Sequence, residues 1–213
     1  MKKAIIFDMD GTLWDSTKPI AESWTEAGKQ TIDPSFSLTE EDVRPLMGKT
    51  MDDIVKALFP NGVNSDKIER FWEKALSDEI EYLKGHPGLP YPEEEKTLAR
   101  LKEMDYELWI VSNAQKGYIE LYLNAYPDLA KYFSAHLCWG DTLLPKRGTI
   151  LKIMGDHAID QAVYVGDTAF DEEETHAAGL PFIHAAYGFG EAKAPEAVAE
   201  SFSSLPEIIK RLL

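Results

Sequence analysis

One cysteine in 213 residues, Cys138, leaves no possibility of an internal disulfide or of a cysteine-based metal centre. Its setting, Ala135-His136-Leu137-Cys138-Trp139, reads as a strand carrying a small buried hydrophobe. The five histidines (His86, His136, His157, His176, His184) show no metal-ligand spacing. His86 and His184 are the two that could approach a site, though structural roles suit them better. No apolar run approaches the length of a membrane span, and no signal-peptide pattern precedes the first strand, so a reducing cytoplasm is the expected location. Positive charge is also scarce. Lys and Arg number 22 against 37 Asp and Glu, a formal net charge of −15, which argues against a nucleic-acid or anionic-membrane partner. A phosphate-bearing substrate would need local positive charge to reverse that field. Repeats and low-complexity segments are absent too.

What is present is an ordinary globular composition, 44% hydrophobic and 28% charged, in a chain long enough for one domain with a sizeable insertion or for two small domains. The most informative stretch lies near the start. Lys2-Lys3-Ala4-Ile5-Ile6-Phe7 reads as a buried parallel strand, and Asp8-Met9-Asp10-Gly11-Thr12-Leu13-Trp14-Asp15-Ser16 follows it directly. Gly11 breaks the strand and leaves Asp8 and Asp10 at its carboxyl end, where ligands sit in open α/β sheets. A solvated Asp-x-Asp-Gly turn is the simpler account. Two carboxylates side by side in a partly buried place repel, however, so a divalent cation or a division into nucleophile and acid/base is the usual reason to keep both.

The texture then turns helical. Ile20, Trp24 and Ala27 share a face, Met51, Ile54, Val55, Leu58 and Phe59 repeat at helical spacing, and Ile68 to Leu83 continue over a longer helix entered at Asn64-Ser65-Asp66. No strand signal interrupts residues 16 to 84. From Gly88 onward helices and strands alternate. Strands are expected at Tyr106 to Val111, Ala135 to Trp139, Gln161 to Val165 and Leu180 to Ala185, with helices at Glu93 to Met104, Gly117 to Asn124, Lys146 to Asp156, Phe170 to Ala178 and Ser204 to Leu213. This alternation predicts an α/β fold with a parallel sheet between helices. The acidic clusters Glu93-Glu94-Glu95 and Glu172-Glu173-Glu174 read as helix-start charges, and the five tryptophans mostly as packing.

Three strands end in polar residues: Asp8 and Asp10, Ser112 and Asn113, and Asp167 with Asp171 one helical turn further on. Together, Asp8-Met9-Asp10-Gly11-Thr12-Leu13-x-Asp15-Ser16, Val111-Ser112-Asn113, Lys146 and Val165-Gly166-Asp167-Thr168-x-x-Asp171 resemble the four ordered motifs of the haloacid dehalogenase superfamily. Within it the chain is similar to the phosphoglycolate phosphatase-like members with a helical cap between the first and second motifs. The resemblance implies a Rossmann-like core over residues 1–15 and 85–213 and a helical cap over 16–84. It also implies Mg²⁺-dependent phosphoryl transfer through an aspartyl-phosphate, acting on a small phosphorylated metabolite. Carried over by motif, Asp8 is the nucleophile, and Asp10 protonates the leaving oxygen and then activates water. Thr12, Ser112 and Asn113 bind the phosphoryl group. Lys146 neutralises charge, and Mg²⁺ is held by Asp8, the Asp10 backbone carbonyl and Asp167, with Asp171 bound directly or through water.

The third motif departs from the family pattern, since Lys146 is followed by Arg147-Gly148 where many relatives have Pro. Lys152 and Lys116 are fallback choices for its role, and Arg147 reads as a solvated helix-start residue. In the cap segment, Arg44-Pro45-Leu46-Met47-Gly48-Lys49-Thr50 resembles the loop that contacts the non-reacting part of the substrate, which makes Arg44 and Lys49 candidate substrate ligands, with ordinary solvated charges as the alternative. Tyr187-Gly188-Phe189-Gly190 reads as a turn walling the active edge. A phosphosugar mutase using the same intermediate and a catalytically silent binding protein on the same fold stay open as alternatives. A dehalogenase is disfavoured, because those relatives lack the second Asp that Asp10 supplies. Oligomeric state is not legible.

Overall fold

The computed structural model describes residues 2–49 and 51–213, with residues 51 and 52 described by their backbone alone. It divides into two compact units, Met1–Asp15 with Leu89–Leu213, and Ser16–Gly88. Among the described residues no helix is long and apolar enough to cross a membrane.

The first unit is a Rossmann-like α/β core. Its sheet strands are β1 (Lys3–Phe7), β2 (Glu107–Ser112), β3 (Phe133–Cys138), β4 (Gln161–Gly166), β5 (Phe182–Ala185) and β6 (Ala197–Ala199). Their spatial order is β3-β2-β1-β4-β5-β6, and every neighbouring pair is parallel. Continuous apolar runs in β1, β2 and β4 are what a sheet covered on both faces requires. Ala4 and Ile6 pack with Trp109, Val111, Ile150, Ile153 and Tyr164 on one face. Phe7, pointing the other way, stacks on Phe202 at 5.9 Å and meets Phe133 edge-on at 6.1 Å. The strand order reverses direction between β1 and β4, the switch point at which such sheets open a crevice at their carboxyl edge. Asp8, Ser112 and Asp167 stand at that edge on three adjacent strands.

The second unit is helical. Helices Thr17–Thr31 and Ser65–Gly85 carry most of its core, in which Ile20, Trp24, Ala27, Phe71, Trp72 and Ala75 are buried together. Trp24 meets Trp72 edge-on at 5.2 Å and donates its indole N–H to buried Glu79 at 2.8 Å. The long helix starts where Asn64 accepts the Asp66 N–H at 2.8 Å, as its sequence signal predicts. It runs on to Gly85, so a boundary drawn after residue 84 falls inside its last turn.

Several expectations need correcting. The strand expected to include Trp139 ends at Cys138, because Asp141 accepts the Cys138 N–H at 3.1 Å and winds Trp139–Thr142 into a helical turn. Trp139 is 48% exposed, so it is not a packing residue. β6 and the antiparallel ribbon Trp14–Asp15 with Leu89–Pro90 were not expected. The acidic clusters do lie at or near helix starts, as expected, and some of their members are also buried. Glu172 is buried and accepts the backbone N–H groups of Lys193 and Ala194 at 2.7 and 2.6 Å. Glu174, also buried, accepts the Arg147 N–H at 2.9 Å and pairs with its guanidinium at 3.4 Å.

Glu94 is the third buried acid, held by the Tyr122 hydroxyl, with Oε2 lacking a partner among the described residues. Burial lifts its carboxyl from 4.5 to about 8, against the Tyr122 hydrogen bond that favours the ionised form. A folded-state value above the unfolded one means stability is complete below pH 4.5 and is lost as pH rises through 8. Glu94→Gln should therefore gain on the wild type between pH 5 and pH 8, by at most about 4 kcal/mol. Urea unfolding at both pH values checks this, and a pH-independent difference would mean that Glu94 ionises freely in the fold.

Candidate active site

The site is built on the turn that follows β1. The Asp8 N–H extends the ladder to Val165 O at 2.9 Å, and the chain then winds around one carbonyl, Met9 O, which accepts from Thr12, Leu13 and Trp14 at 3.2, 2.8 and 3.2 Å. Gly11 takes φ +78°, and a Cβ there would lie 2.1 Å from Asp167 Oδ2. Only glycine satisfies both conditions. On the far side, Gly188 approaches as closely, since its Cβ would lie 2.3 Å from Gly11 O. The Tyr187-Gly188-Phe189-Gly190 turn thus walls the site, with the Phe189 N–H donating to Asp167 Oδ2 at 2.8 Å and the Tyr187 hydroxyl to Thr12 O at 3.1 Å.

Lys146, the first residue of the helix Lys146–Asp156, is 3% exposed and reaches into this turn. Its ammonium donates to Asp8 Oδ1 at 2.9 Å and to Asp171 Oδ1, and it lies 5.4 Å above the Tyr164 ring. Burial works against its charge, but Asp171 and Asp8 outweigh burial and hold the ammonium protonated. Asp171 is also the third residue of the helix Ala169–Ala177, where it forms a capping box with Thr168: Thr168 Oγ1 donates to Asp171 Oδ2 at 2.6 Å and accepts the Asp171 N–H at 3.1 Å. Lys152 is exposed and paired with Asp156 at 2.8 Å, and Lys116 is exposed, so neither joins the cluster.

Asp8, Asp167 and Asp171 each offer a carboxylate oxygen within 4.8 Å of the others, and all three are buried. Burial raises the Asp8 carboxyl to about 7 against the pull of Lys146, with repulsion from Asp171 adding to the rise. Asp167 is pushed up by burial and then by Asp171 and Asp8. Asp167 Oδ1 and Thr12 Oγ1 are buried without a hydrogen-bond partner among the described residues. An all-oxygen donor set with surplus negative charge and a buried, unsatisfied carboxylate oxygen fits a hard divalent cation.

The other expected residues fall into three places. Ser112 ends β2 beside β1, buried, its Oγ accepting the Ala114 N–H at 3.2 Å, while Asn113 after it is exposed. Asp10 is not one of the three clustered carboxylates; its Oδ1 accepts from the Trp14 indole at 2.8 Å and the Tyr118 hydroxyl at 2.7 Å. Arg44 and Lys49 belong to the helical unit, where Arg44 pairs with Glu40 at 2.7 Å and Lys49 is exposed; Thr50 lies outside the described residues. Arg147 is a partner of Glu174, not simply a solvated charge. Of the histidines, His184 is 3.1 Å from Asp167 O and 3.3 Å from Gly190 O, on the backbone behind the site, and His86 stacks on Tyr82 in the helical unit at 4.3 Å. Tyr164, whose hydroxyl donates to Val111 O at 2.8 Å and lies 3.4 Å from Asp8 Oδ1, was missed by sequence reasoning. A capping-box signal could have marked Thr168, but no pattern marks Trp14, Tyr118 or Tyr164 as polar partners.

Comparison with known proteins agrees with this geometry. Residues 5–185 match the model of the haloacid dehalogenase-like hydrolases. A phosphoglycolate phosphatase of Neisseria meningitidis serogroup A is 30% identical over 99% of this chain and 93% of its own length. One from Aquifex aeolicus is 28% identical over 88% and 86%. Among solved structures, a predicted phosphoglycolate phosphatase from Haemophilus somnus superposes with a TM-score of 0.83 at 22% identity, over 98% of both chains. A predicted phosphatase from Clostridium acetobutylicum gives 0.78 at 22% over the whole of both chains. At that identity the two structures speak for the fold alone. The chain belongs to the haloacid dehalogenase-like hydrolases, as a phosphoglycolate phosphatase-like member.

Removing the buried cation tests the electrostatics directly. Lys146→Met should destabilise the protein by roughly 3–5 kcal/mol in urea titrations, because it strands two carboxylates that remain buried. Asp171→Asn in the same background should recover part of that loss. A loss below about 1 kcal/mol would mean that the carboxylates shed their charge without help from Lys146.

Proposed function

We propose that this hydrolase is a Mg²⁺-dependent phosphatase that cleaves a small phosphate monoester through an aspartyl-phosphate on Asp8. The observation that carries the reading is the buried Asp8–Lys146–Asp171 triad beside Asp167, whose Oδ1 is without a partner among the described residues. Asp8 attacks phosphorus, the bond to the leaving oxygen breaks, and Asp10 delivers a proton to that oxygen. Asp10 then takes a proton from water as the water attacks the aspartyl-phosphate, which releases inorganic phosphate and restores Asp8. Thr12 Oγ1, buried and without a partner among the described residues, and Ser112 donate to the phosphoryl oxygens, with backbone N–H groups near Asn113 assisting. Lys146 holds positive charge between nucleophile and phosphate. Asp8, Asp167 and the Asp10 carbonyl, with Asp171 direct or through water, would hold Mg²⁺, which would supply positive charge against the trianionic transition state. Such division of effort is needed, since enzymes speed phosphate-monoester hydrolysis by up to about 10²¹-fold, roughly 28 kcal/mol.

The helical unit is inserted between the first and second motifs, and we assign it as a cap over residues 16–84 that sets substrate choice, with Arg44 and Lys49 as its candidate ligands. The name shared by the Neisseria and Aquifex relatives puts phosphoglycolate first among esters to assay. A single cysteine and the absence, among the described residues, of a membrane-crossing helix favour a cytoplasmic setting.

Phosphate release from phosphoglycolate and a panel of sugar phosphates, with no phosphosugar acceptor added, should depend on Mg²⁺ and stop on chelation; a strict need for an acceptor would mark a mutase. Asp8→Asn should lower kcat by about 10⁴-fold or more. Activity surviving that substitution would sink the covalent route. Millimolar Mg²⁺ should raise the Tm of the wild type and not that of Asp167→Asn. For the cap, Arg44→Ala or Lys49→Ala should lower kcat/KM for the preferred ester about tenfold or more. Unchanged values across the panel would return both residues to the solvated surface.

A further inference from the structure

We propose that Trp14 and Tyr118 are positioning residues that clamp the Asp10 carboxylate through Oδ1 and so fix the direction in which it exchanges the proton. The inference deepens the phosphatase reading above and rests on it. Trp14 Nε1 donates to Asp10 Oδ1 at 2.8 Å and the Tyr118 hydroxyl donates to the same atom at 2.7 Å. The donors arrive from separate elements. Trp14 lies four residues beyond Asp10, brought back by the Gly11 turn and the backbone bond from Gly11 N–H to Trp14 O at 3.0 Å. Tyr118 opens the helix Tyr118–Ala125 after β2, behind Gly117 at φ +90°. Trp14 is fully buried and Tyr118 nearly so, and their rings meet edge-on at 5.7 Å. Trp14 meets Tyr122 in the same way at 5.7 Å, so the indole is locked by aromatic neighbours on two sides.

Aspartate has a short stem, but its terminal torsion is broad and shallow, so the carboxylate by itself samples a wide arc. Two donors converging on Oδ1 remove that freedom and commit Oδ1 as an acceptor. The proton given to the leaving oxygen, and later taken from water, then travels in a fixed direction. Such orientation is what makes a positioned acid effective, since general acid–base catalysis contributes about 10²- to 10⁴-fold only when the group lies in line with the proton it moves. Neither donor is needed to hold the fold's electrostatics at Lys146, which touches Asp8 and Asp171 instead.

Leaving-group dependence separates this role from a structural one. An alkyl phosphate such as phosphoglycolate expels a strongly basic alkoxide and needs the proton, whereas 4-nitrophenyl phosphate expels a stable phenolate and hardly does. Rapid-quench measurement of the phosphorylation step is made with both esters on the wild type, Tyr118→Phe, Trp14→Phe and the double variant. The expected result is a fall in the alkyl-to-aryl rate ratio of about tenfold for each single variant and about 10²-fold for the double, with KM for either ester within about twofold. Equal slowing of both esters, or no slowing, overturns the clamp. Tyr118→Phe deletes one hydroxyl and keeps the ring, so it decides the matter even if Trp14→Phe fails to fold. Asp10→Asn in the same series tests the underlying reading: a ratio that drops for Asp10→Asn but not for Tyr118→Phe rejects the clamp alone, and a ratio unmoved by Asp10→Asn rejects Asp10 as the acid and the clamp with it. A wild type that turns over neither ester rejects the phosphatase reading and, with it, the clamp.

Discussion

The ammonium of Lys146, buried between Asp8 and Asp171, is the contact on which the rest of the active edge is hung. It joins three elements that the chain reaches far apart in sequence: the tip of β1, the helix that starts at Lys146, and the helix that starts at Ala169. Asp171 serves two of them at once, since one of its oxygens holds the lysine and the other closes the capping box with Thr168. A shift of that helix start would therefore move the lysine, and a shift of the lysine would move the Asp8 carboxylate. A buried ion pair of this kind gives little net stability, because desolvation offsets most of the Coulomb attraction. Its value here is registry. It ties the position of the Asp8 carboxylate to the secondary structure around it.

The same cluster answers the puzzle posed by the net charge. One ammonium faces three buried carboxylates, so the edge stays short of positive charge, and burial and mutual repulsion lift Asp8 and Asp167 above the ordinary carboxylate range. Asp167 Oδ1 and Thr12 Oγ1, both without a hydrogen-bond partner among the described residues, lie on the β4 side and the β1 side of the strand-order switch. A donor set of this composition fits a hard cation, and an apolar ligand would leave both atoms unsatisfied. A strongly acidic protein can thus handle an anion, provided the reversal of sign is confined to one edge.

Much of this was legible because parallel strands advertise themselves. Lys3–Phe7, Glu107–Ser112 and Gln161–Gly166 are continuous apolar runs that end in polar residues, and the two-sided burial of a central parallel strand produces that pattern directly. β6 escaped because Ala197–Ala199 is too short for any period to show, and its pairing with β5 is a tertiary fact. The burial of Glu94, Glu172 and Glu174 was hidden for a related reason. Helix-start position favours acidic residues on local grounds, and nothing local says that Tyr122, Lys193, Ala194 or Arg147 will arrive to cover them. The aromatic donors were hidden more deeply. A buried Trp or Tyr looks like core in a sequence, and the direction of its single polar atom is set by packing with residues such as Tyr122, which lies 108 positions after Trp14 in the chain.

Backbone approach, more than side-chain choice, limits what this edge can become. With Gly11 and Gly188 pressed against Asp167 so closely that a Cβ at either would overlap it or its neighbour, the carboxylate has no room to move sideways, and the Phe189 N–H pins one of its oxygens. On the opposite side of the turn, the Asp10 carboxylate is fixed by two aromatic donors. Both carboxylates are therefore held by glycines, a backbone amide and buried rings that leave them little freedom to adjust. The helical unit is added without cost to that edge: the chain leaves after Asp15, immediately past the Asp8–Asp10 motif, and returns at Leu89 without disturbing any strand of the sheet.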